Sequence, residues 1–171
     1  SDDSSLEFQE VFQNNVVLMT PPGHPLLEHH PVQLQDIAAY PLILSAPESL
    51  TRQKVEQALK SHGISAEVVL AVDATESIKR YVEIGMGVAL CADFTLHPED
   101  HDKLGVVRLD HIFTGSAIGI CTLKGKFRGR AVRNFIDTLG EELRGYHAEL
   151  WESSAPRAGT PSLVPVSGDG S

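Results

Sequence analysis

The stretch PLILSAPESLTRQKVEQALKSHGISAEVVLAVDATESIKRYVEIGMGVALC, residues 41–91, decides the fold. It opens with Leu42-Ile43-Leu44, a short apolar run of strand character, and passes through a Ser/Pro loop from Ser45 to Leu50. From Thr51 to His62 the apolar groups fall at Val55, Ala58 and Leu59, the spacing of one helix face. Gly63 stands where a residue of left-handed backbone ends a helix. Glu67 to Val72 then reads as a second strand. Asp73, three residues before Glu76, offers an N-cap with capping-box spacing. Ile78, Tyr81 and Val82 form the inner face of the next helix, Gly85 ends it, and Val88-Ala89-Leu90-Cys91 is a third strand. Strands alternating with helices at this spacing predict an α/β unit with a largely parallel sheet.

On the N-terminal side, Val16 to Met19 is a strand stopped by Thr20-Pro21-Pro22-Gly23, and Leu34, Ile37 and Ala38 suit a short helix ended at Tyr40 before Pro41. Ser1 to Glu10 reads as polar and frayed. On the C-terminal side, Val106 to Leu109 predicts a short edge strand and Ser116 to Leu123 a longer one. A helix from Phe127 to about Leu150 carries Val132, Phe135, Ile136 and Leu139 at core spacing. Ser153 to Ser171 is rich in Ser, Gly and Pro and is expected to be disordered.

The composition narrows the function. Of 171 residues, 42% are hydrophobic and 22% charged, ordinary for a globular domain. No apolar run approaches the roughly 18 residues that span a bilayer, and a basic segment followed by an apolar one, the mark of a secretory signal, is missing. Localisation is therefore expected to be cytoplasmic, without membrane association. The net charge of −9 makes these residues poor at gripping a phosphate backbone. Cys91 and Cys121 lie in separate apolar runs, with no metal spacing, and are expected to be buried reduced thiols.

Three chemical motifs dissolve on inspection. Gly85-Met86-Gly87 follows a helix and precedes a strand, whereas a phosphate-binding glycine loop opens a helix. His24, His29 and His30 sit in a Pro-flanked loop without helical ligand spacing, so no metal is expected. Lys124, Lys126, Arg128, Arg130 and Arg133 read as a solvated face. No catalytic residue and no cofactor emerge. Cys91 or Cys121 with a histidine is the enzyme reading, and neither thiol is near a helix N-terminus in sequence.

The loop after the first strand of the stretch is different. Ser45, Ser49 and Thr51 occupy the passage from a strand's carboxyl end to a helix N-terminus, where unpartnered amides and the helix dipole favour an anion. Asp73 and Thr75 hold the same place after the neighbouring strand. Asp73 opposes an anion and accepts from an amine, so the two loops together suit a zwitterion. The alternative, that Ser49 or Thr51 merely caps its helix, stays open.

Several segments, in order, resemble LysR-type transcriptional regulators. They are Pro21-Pro22-Gly23-His24-Pro25-Leu26, Pro41-Leu42-Ile43 with its loop, Val55-Glu56-Gln57-Ala58-Leu59, and Ile78 through Gly85-Met86-Gly87-Val88. Tyr81-Val82, Asp110-His111-Ile112-Phe113 and Phe127-Arg128 resemble the CysB/Cbl branch that controls sulfur assimilation. The resemblance runs from about Val11 to Leu143. It implies a periplasmic-binding-protein-like effector-binding domain with a small anionic or amino-acid-like effector in its cleft, DNA contacts through a separate domain, and a homo-oligomer. It further implies a segment entering at the crossover in residues 1–15, a second subdomain in 16–112, and a strand and helix of the first subdomain in 113–150. A tail follows from 151 to 171. That returning strand and helix should expose apolar surface. Gln13 beside Asn14, and Leu50 between Ser49 and Thr51, fall at implied effector positions, although the branch has an aromatic and a threonine there. A fragment of a solute-binding transport protein, which shares the fold, is the alternative.

Overall fold

The computed structural model describes residues 5–28, 31–126 and 128–152. Its elements run β1 (Leu6–Asn14), β2 (Val16–Thr20), α1 (Leu34–Ala38), β3 (Leu42–Leu44), α2 (Leu50–Ser61), β4 (Val68–Ala71), α3 (Thr75–Glu83), β5 (Val88–Ala92), β6 (Gly105–Arg108), β7 (Ser116–Leu123) and α4 (Arg130–Glu152). Short 3-10 turns cover Pro25–Leu27, Asp93–Thr95 and Pro98–Asp102. Five strands form one sheet in the order β4-β3-β5-β2-β6, and β1 and β7 form a separate two-stranded ribbon.

The apolar runs in β2, β3 and β5 are continuous because helices cover both faces of the sheet. Alternation along each strand then sorts the side chains into two cores. Val16, Leu18, Leu42, Leu44, Val88 and Leu90 pack with Val55 and Leu59 of α2. Their neighbours Val17, Met19, Ile43, Ala89 and Cys91 pack on the other face with Ile78 and Val82 of α3. Each fully buried Leu, Ile or Val adds about 1.5–3 kcal/mol of apolar burial. Gly87 lets β5 enter beside β3, since a Cβ there would lie 2.4 Å from the Pro41 carbonyl oxygen. Gly63 and Gly85 take φ of 64° and 80°, as expected of the residues that end α2 and α3.

Four expectations need correction. The sheet is mixed rather than largely parallel: β3 runs parallel to β4 and β5, but β2 is antiparallel to β5 and β6. The alternating stretch 41–91 supplies only the parallel strands, and β2 and β6 come from outside it. Residues 6–14 form β1 instead of fraying, paired with β7 in a register from Leu6↔Leu123 to Asn14↔Ser116. That pairing joins segments far apart in sequence, and most of β1 is exposed, so a polar N-terminal stretch gives little sign of its partner. Asp73 does not cap α3. The cap position is Ala74, which makes no side-chain bond. Finally, Cys121 is exposed on the ribbon; only Cys91 is buried.

The expected core face of α4 splits in two. Val132 and Phe135 near its start are 49% and 66% exposed, as are Leu6 and Phe8 of β1 at 41% and 51%, so the ribbon and the first turns of α4 do show the expected apolar surface. The end of the same helix is buried instead: Leu150 is fully covered in the second core, with Trp151 packed against it. Trp151 also lies under the Arg108 guanidinium, 4.7 Å from the ring centroid. Trp151 and Glu152 are thus helical, and the rest of the expected tail, 153–171, lies outside the described residues.

Candidate functional site

The parallel strands β3, β4 and β5 deliver their carboxyl ends to the same edge of the sheet. The loops leaving those ends enclose a cavity of about 300 Å³. That is the small end of ligand-pocket sizes and admits a compact metabolite, not a dinucleotide. Five of the residues singled out from sequence line it: Ser45, Ser49 and Thr51 from the first loop, Asp73 and Thr75 from the second.

The chemistry of the walls follows from how α2 and α3 begin. The first backbone bond closing α2 runs from the Gln53 amide to the Ser49 carbonyl, 3.0 Å, which leaves the amides of Leu50, Thr51 and Arg52 ahead of the helical ladder. The Ser49 hydroxyl occupies the cap position yet makes no cap bond. In α3 the Ser77 and Ile78 amides both reach the Ala74 carbonyl, and alanine has no side chain with which to cap the turn. Two helices therefore present uncapped N-termini at one cavity. Among the described residues, the hydroxyls of Ser45, Ser49, Thr51 and Thr75 take no hydrogen-bonding partner from the protein.

The lining also holds residues that sequence reasoning missed. Glu48 adds a second carboxylate beside Asp73, and no Lys or Arg lines the cavity among the described residues. Ala92 ends β5, and Phe94 and Thr95 come from the 3-10 turn that follows it. The rule that selected the loops after β3 and β4 applies equally to β5, so this third loop was within reach of the sequence. Its Thr95 hydroxyl is already engaged, donating to the Ala92 carbonyl at 2.7 Å.

Cys91 forms part of the lining. Burial pushes its thiol up to about 12; the Thr95 hydroxyl and the Lys79 ammonium pull the other way and do not compensate. A thiol so protonated at neutral pH is not a nucleophile. Lys79 is itself buried. Burial works against its charge, but Asp100 and Glu76, both 2.7 Å away, outweigh that and hold its pKa above the ordinary lysine range.

The structure does not bring Gln13 and Leu50 to this cavity. Leu50 opens α2 with its side chain turned outward, 76% exposed. Gln13 lies exposed in β1 and bonds the Glu10 carboxylate. Of the loop histidines, His24 caps the first 3-10 turn by accepting from the Leu26 amide, 3.2 Å, while His29 and His30 lie outside the described residues. Among the described residues, no group of three or more His, Cys, Asp or Glu side chains is placed to hold a metal. Arg128 of the basic cluster pairs with Glu7 at 2.6 Å.

Comparison with known proteins bears on this geometry. The family model for the LysR substrate binding domain matches residues 1–144. The HTH-type transcriptional regulator CysB of Burkholderia cenocepacia is 36% identical over 84% of this chain and 44% of its own length. The HTH-type transcriptional regulator cbl of Escherichia coli K12 is 30% identical over 90% of this chain and 49% of its own. The chain thus spans less than half the length of these relatives. Among solved structures, the cofactor-binding domain of the Cbl transcriptional regulator superposes with a TM-score of 0.67 at 26% identity, over 80% of this chain and 60% of that one. The Synechocystis PCC6803 CcmR regulatory domain in complex with 2-PG gives 0.70 at 22% identity, over 84% and 70%, a likeness of fold. With its periplasmic-binding-protein-like α/β architecture, the chain belongs to the LysR substrate binding domain family, on its CysB/Cbl-like side.

Proposed function

We propose that this chain is the effector-sensing module of a cytoplasmic, homo-oligomeric LysR-type transcriptional regulator. It reaches DNA only through a separate domain, and residues 16–112 form its second subdomain. Its effector is a small anionic or zwitterionic metabolite seated on Ser45, Ser49, Thr51, Asp73 and Thr75. The observation that carries this reading is the pair of uncapped helix N-termini facing one small cavity, with the hydroxyls of Ser45, Ser49, Thr51 and Thr75 unpartnered among the described residues. Amides at a helix N-terminus hold a carboxylate or sulfate without a cationic side chain. Glu48 and Asp73 favour a ligand that also carries an ammonium group, because a second anion beside two carboxylates is repelled. The zwitterion therefore fits better than a bare inorganic anion, and an amino-acid derivative of sulfur metabolism is of that kind.

Controlling a promoter requires no chemistry at the bound molecule. A coupling of about 1–3 kcal/mol between effector and conformation suffices, supplied by contacts that differ between two states. Thermal melts against sulfate, thiosulfate, O-acetylserine, N-acetylserine and common aromatic acids test the proposal. One compound should raise the melting temperature in a concentration-dependent way, following RT ln(1 + [L]/Kd), with zwitterions ahead of sulfate. A folded chain that responds to none of them contradicts the ligand class.

A further inference from the structure

Asp93 is fully buried at the head of the 3-10 turn after β5, among residues that line the cavity. Its backbone amide donates to the Asn15 carbonyl at 2.9 Å. Its Oδ2 lies 3.4 Å from Asn15 Nδ2 and 3.2 Å from His147 Nε2. Asn15 is the residue between β1 of the ribbon and β2 of the sheet, and so forms the first crossover. His147 belongs to α4, and its ring stacks on Phe12 of β1 with centroids 4.5 Å apart and planes at 22°. One carboxylate thus joins the cavity's third loop to the crossover and to a helix that contributes nothing to the cavity's lining.

Packing alone does not call for a carboxylate here. An apolar side chain would fill the space without the desolvation that a buried charge incurs. Moreover, Asp93 Oδ1 is buried and accepts no bond from any described residue. What the carboxylate does, and an apolar group does not, is accept from the crossover and from α4 at once. For that bond the His147 imidazole must carry its proton on Nε2.

The opposite wall has a matching tie. Lys54 stands one turn beyond Thr51 on α2, and its ammonium donates to the Thr114 carbonyl at 2.9 Å and to Ser116 Oγ at 2.6 Å. Thr114 belongs to the second crossover and Ser116 opens β7. The two crossovers touch: a Cβ on Gly115 would lie 2.7 Å from Asn15 Oδ1. A shift of either wall is therefore passed to the same joint.

Resting on the effector reading above, we propose that Asp93 is a positioning residue that couples the occupied cavity to the first crossover and to the C-terminal turns of α4, acting through Asn15 and His147. The test is amide hydrogen exchange on the full chain, with and without O-acetyl-L-serine. In the native protein the ligand should slow exchange over residues 146–151 by about threefold or more. In Asp93→Leu and His147→Leu it should still bind, with Kd within about threefold of native, while that slowing disappears. His147→Gln keeps a donor and should restore it, which a merely space-filling role would not do. Slowing that persists in both variants overturns the coupling. If O-acetyl-L-serine fails to bind the native chain, the ligand class fails, and Thr95→Val supplies the perturbation instead by deleting the hydroxyl bond to Ala92. That substitution should speed exchange over residues 146–151 by about threefold in the native background and leave it unchanged with His147→Leu. Equal effects in the two backgrounds overturn the coupling independently of any ligand.

Discussion

Ser49→Ala and Thr51→Val should separate binding from stability. Among the described residues neither hydroxyl has a hydrogen-bonding partner, and Ser49 leaves its cap position unbonded, so neither variant removes a hydrogen bond seen in the folded state. Melting temperatures should stay close to native, because a cap that makes no bond cannot contribute the ~1 kcal/mol that functional caps provide. In the complex, each variant loses one neutral hydrogen bond to the effector, about 0.5–1.5 kcal/mol. That corresponds to a Kd roughly 2- to 13-fold weaker for each. Together they should approach the sum, unless one ligand oxygen is shared between them. Leu50→Ala is the internal control, since its outward side chain should matter to neither measurement. Isothermal titration with the most stabilising compound of the panel, alongside melts without ligand, makes the comparison. Unchanged affinity in both hydroxyl variants refutes the site. A lowered melting temperature with unchanged affinity returns these residues to a capping role.

Other consequences follow from the buried groups. At neutral pH a thiol reagent should modify exposed Cys121 rapidly and Cys91 only on unfolding, and rapid labelling of both would restore a reactive-cysteine reading. Because the folded state holds the Cys91 proton more tightly, its contribution is intact below the ordinary thiol range and declines as pH rises from about 9 to about 12. The slope is up to ~1.4 kcal/mol per unit, so Cys91→Ala should flatten the alkaline loss of stability in melts across that window. Gly87→Ala drives a methyl into the Pro41 carbonyl and should cost about 1–3 kcal/mol in urea unfolding; a neutral result would mean that β5 shifts freely. Lys79→Met strands Asp100, which among the described residues keeps the His97 amide at 2.7 Å, and should cost about 3 kcal/mol. Lys79→Met with Asp100→Leu should recover most of that loss, and failure to recover would show that packing, not charge, dominates there.

Much of this architecture was legible because the signals were local. Val55, Ala58 and Leu59 at one-face spacing, the two helix-ending glycines, and three short apolar runs define the parallel strands and two helices within 41–91. Once the strand ends are known, topology places the loops carrying Ser45 and Asp73 side by side, so two of the cavity's three loops could be named in advance. What escaped depends on long-range pairing. β1 was hidden because its partner β7 lies over a hundred residues away and most of its own residues are exposed. Glu48 has no local mark that separates it from any loop acid. Asp93 reads as an ordinary turn residue until Asn15 and His147 converge on it from opposite ends of the chain. Lys79 carries no local mark of burial, and Asp100, contributed from beyond β5, joins Glu76 in making that burial tolerable.

The central claim is that an effector sits where α2, α3 and the turn after β5 meet. The most direct measurement is amide chemical-shift mapping during titration with O-acetyl-L-serine, and then with sulfate. The account predicts saturable shifts concentrated at Ser45–Thr51, Asp73–Glu76 and Phe94–Thr95, larger for the zwitterion, with a weaker echo at Asn15 and along residues 146–151. Shifts centred elsewhere, such as on the cavity beside His62 and His111 at the C-terminal end of α2, would contradict it, as would no saturable shift with either compound.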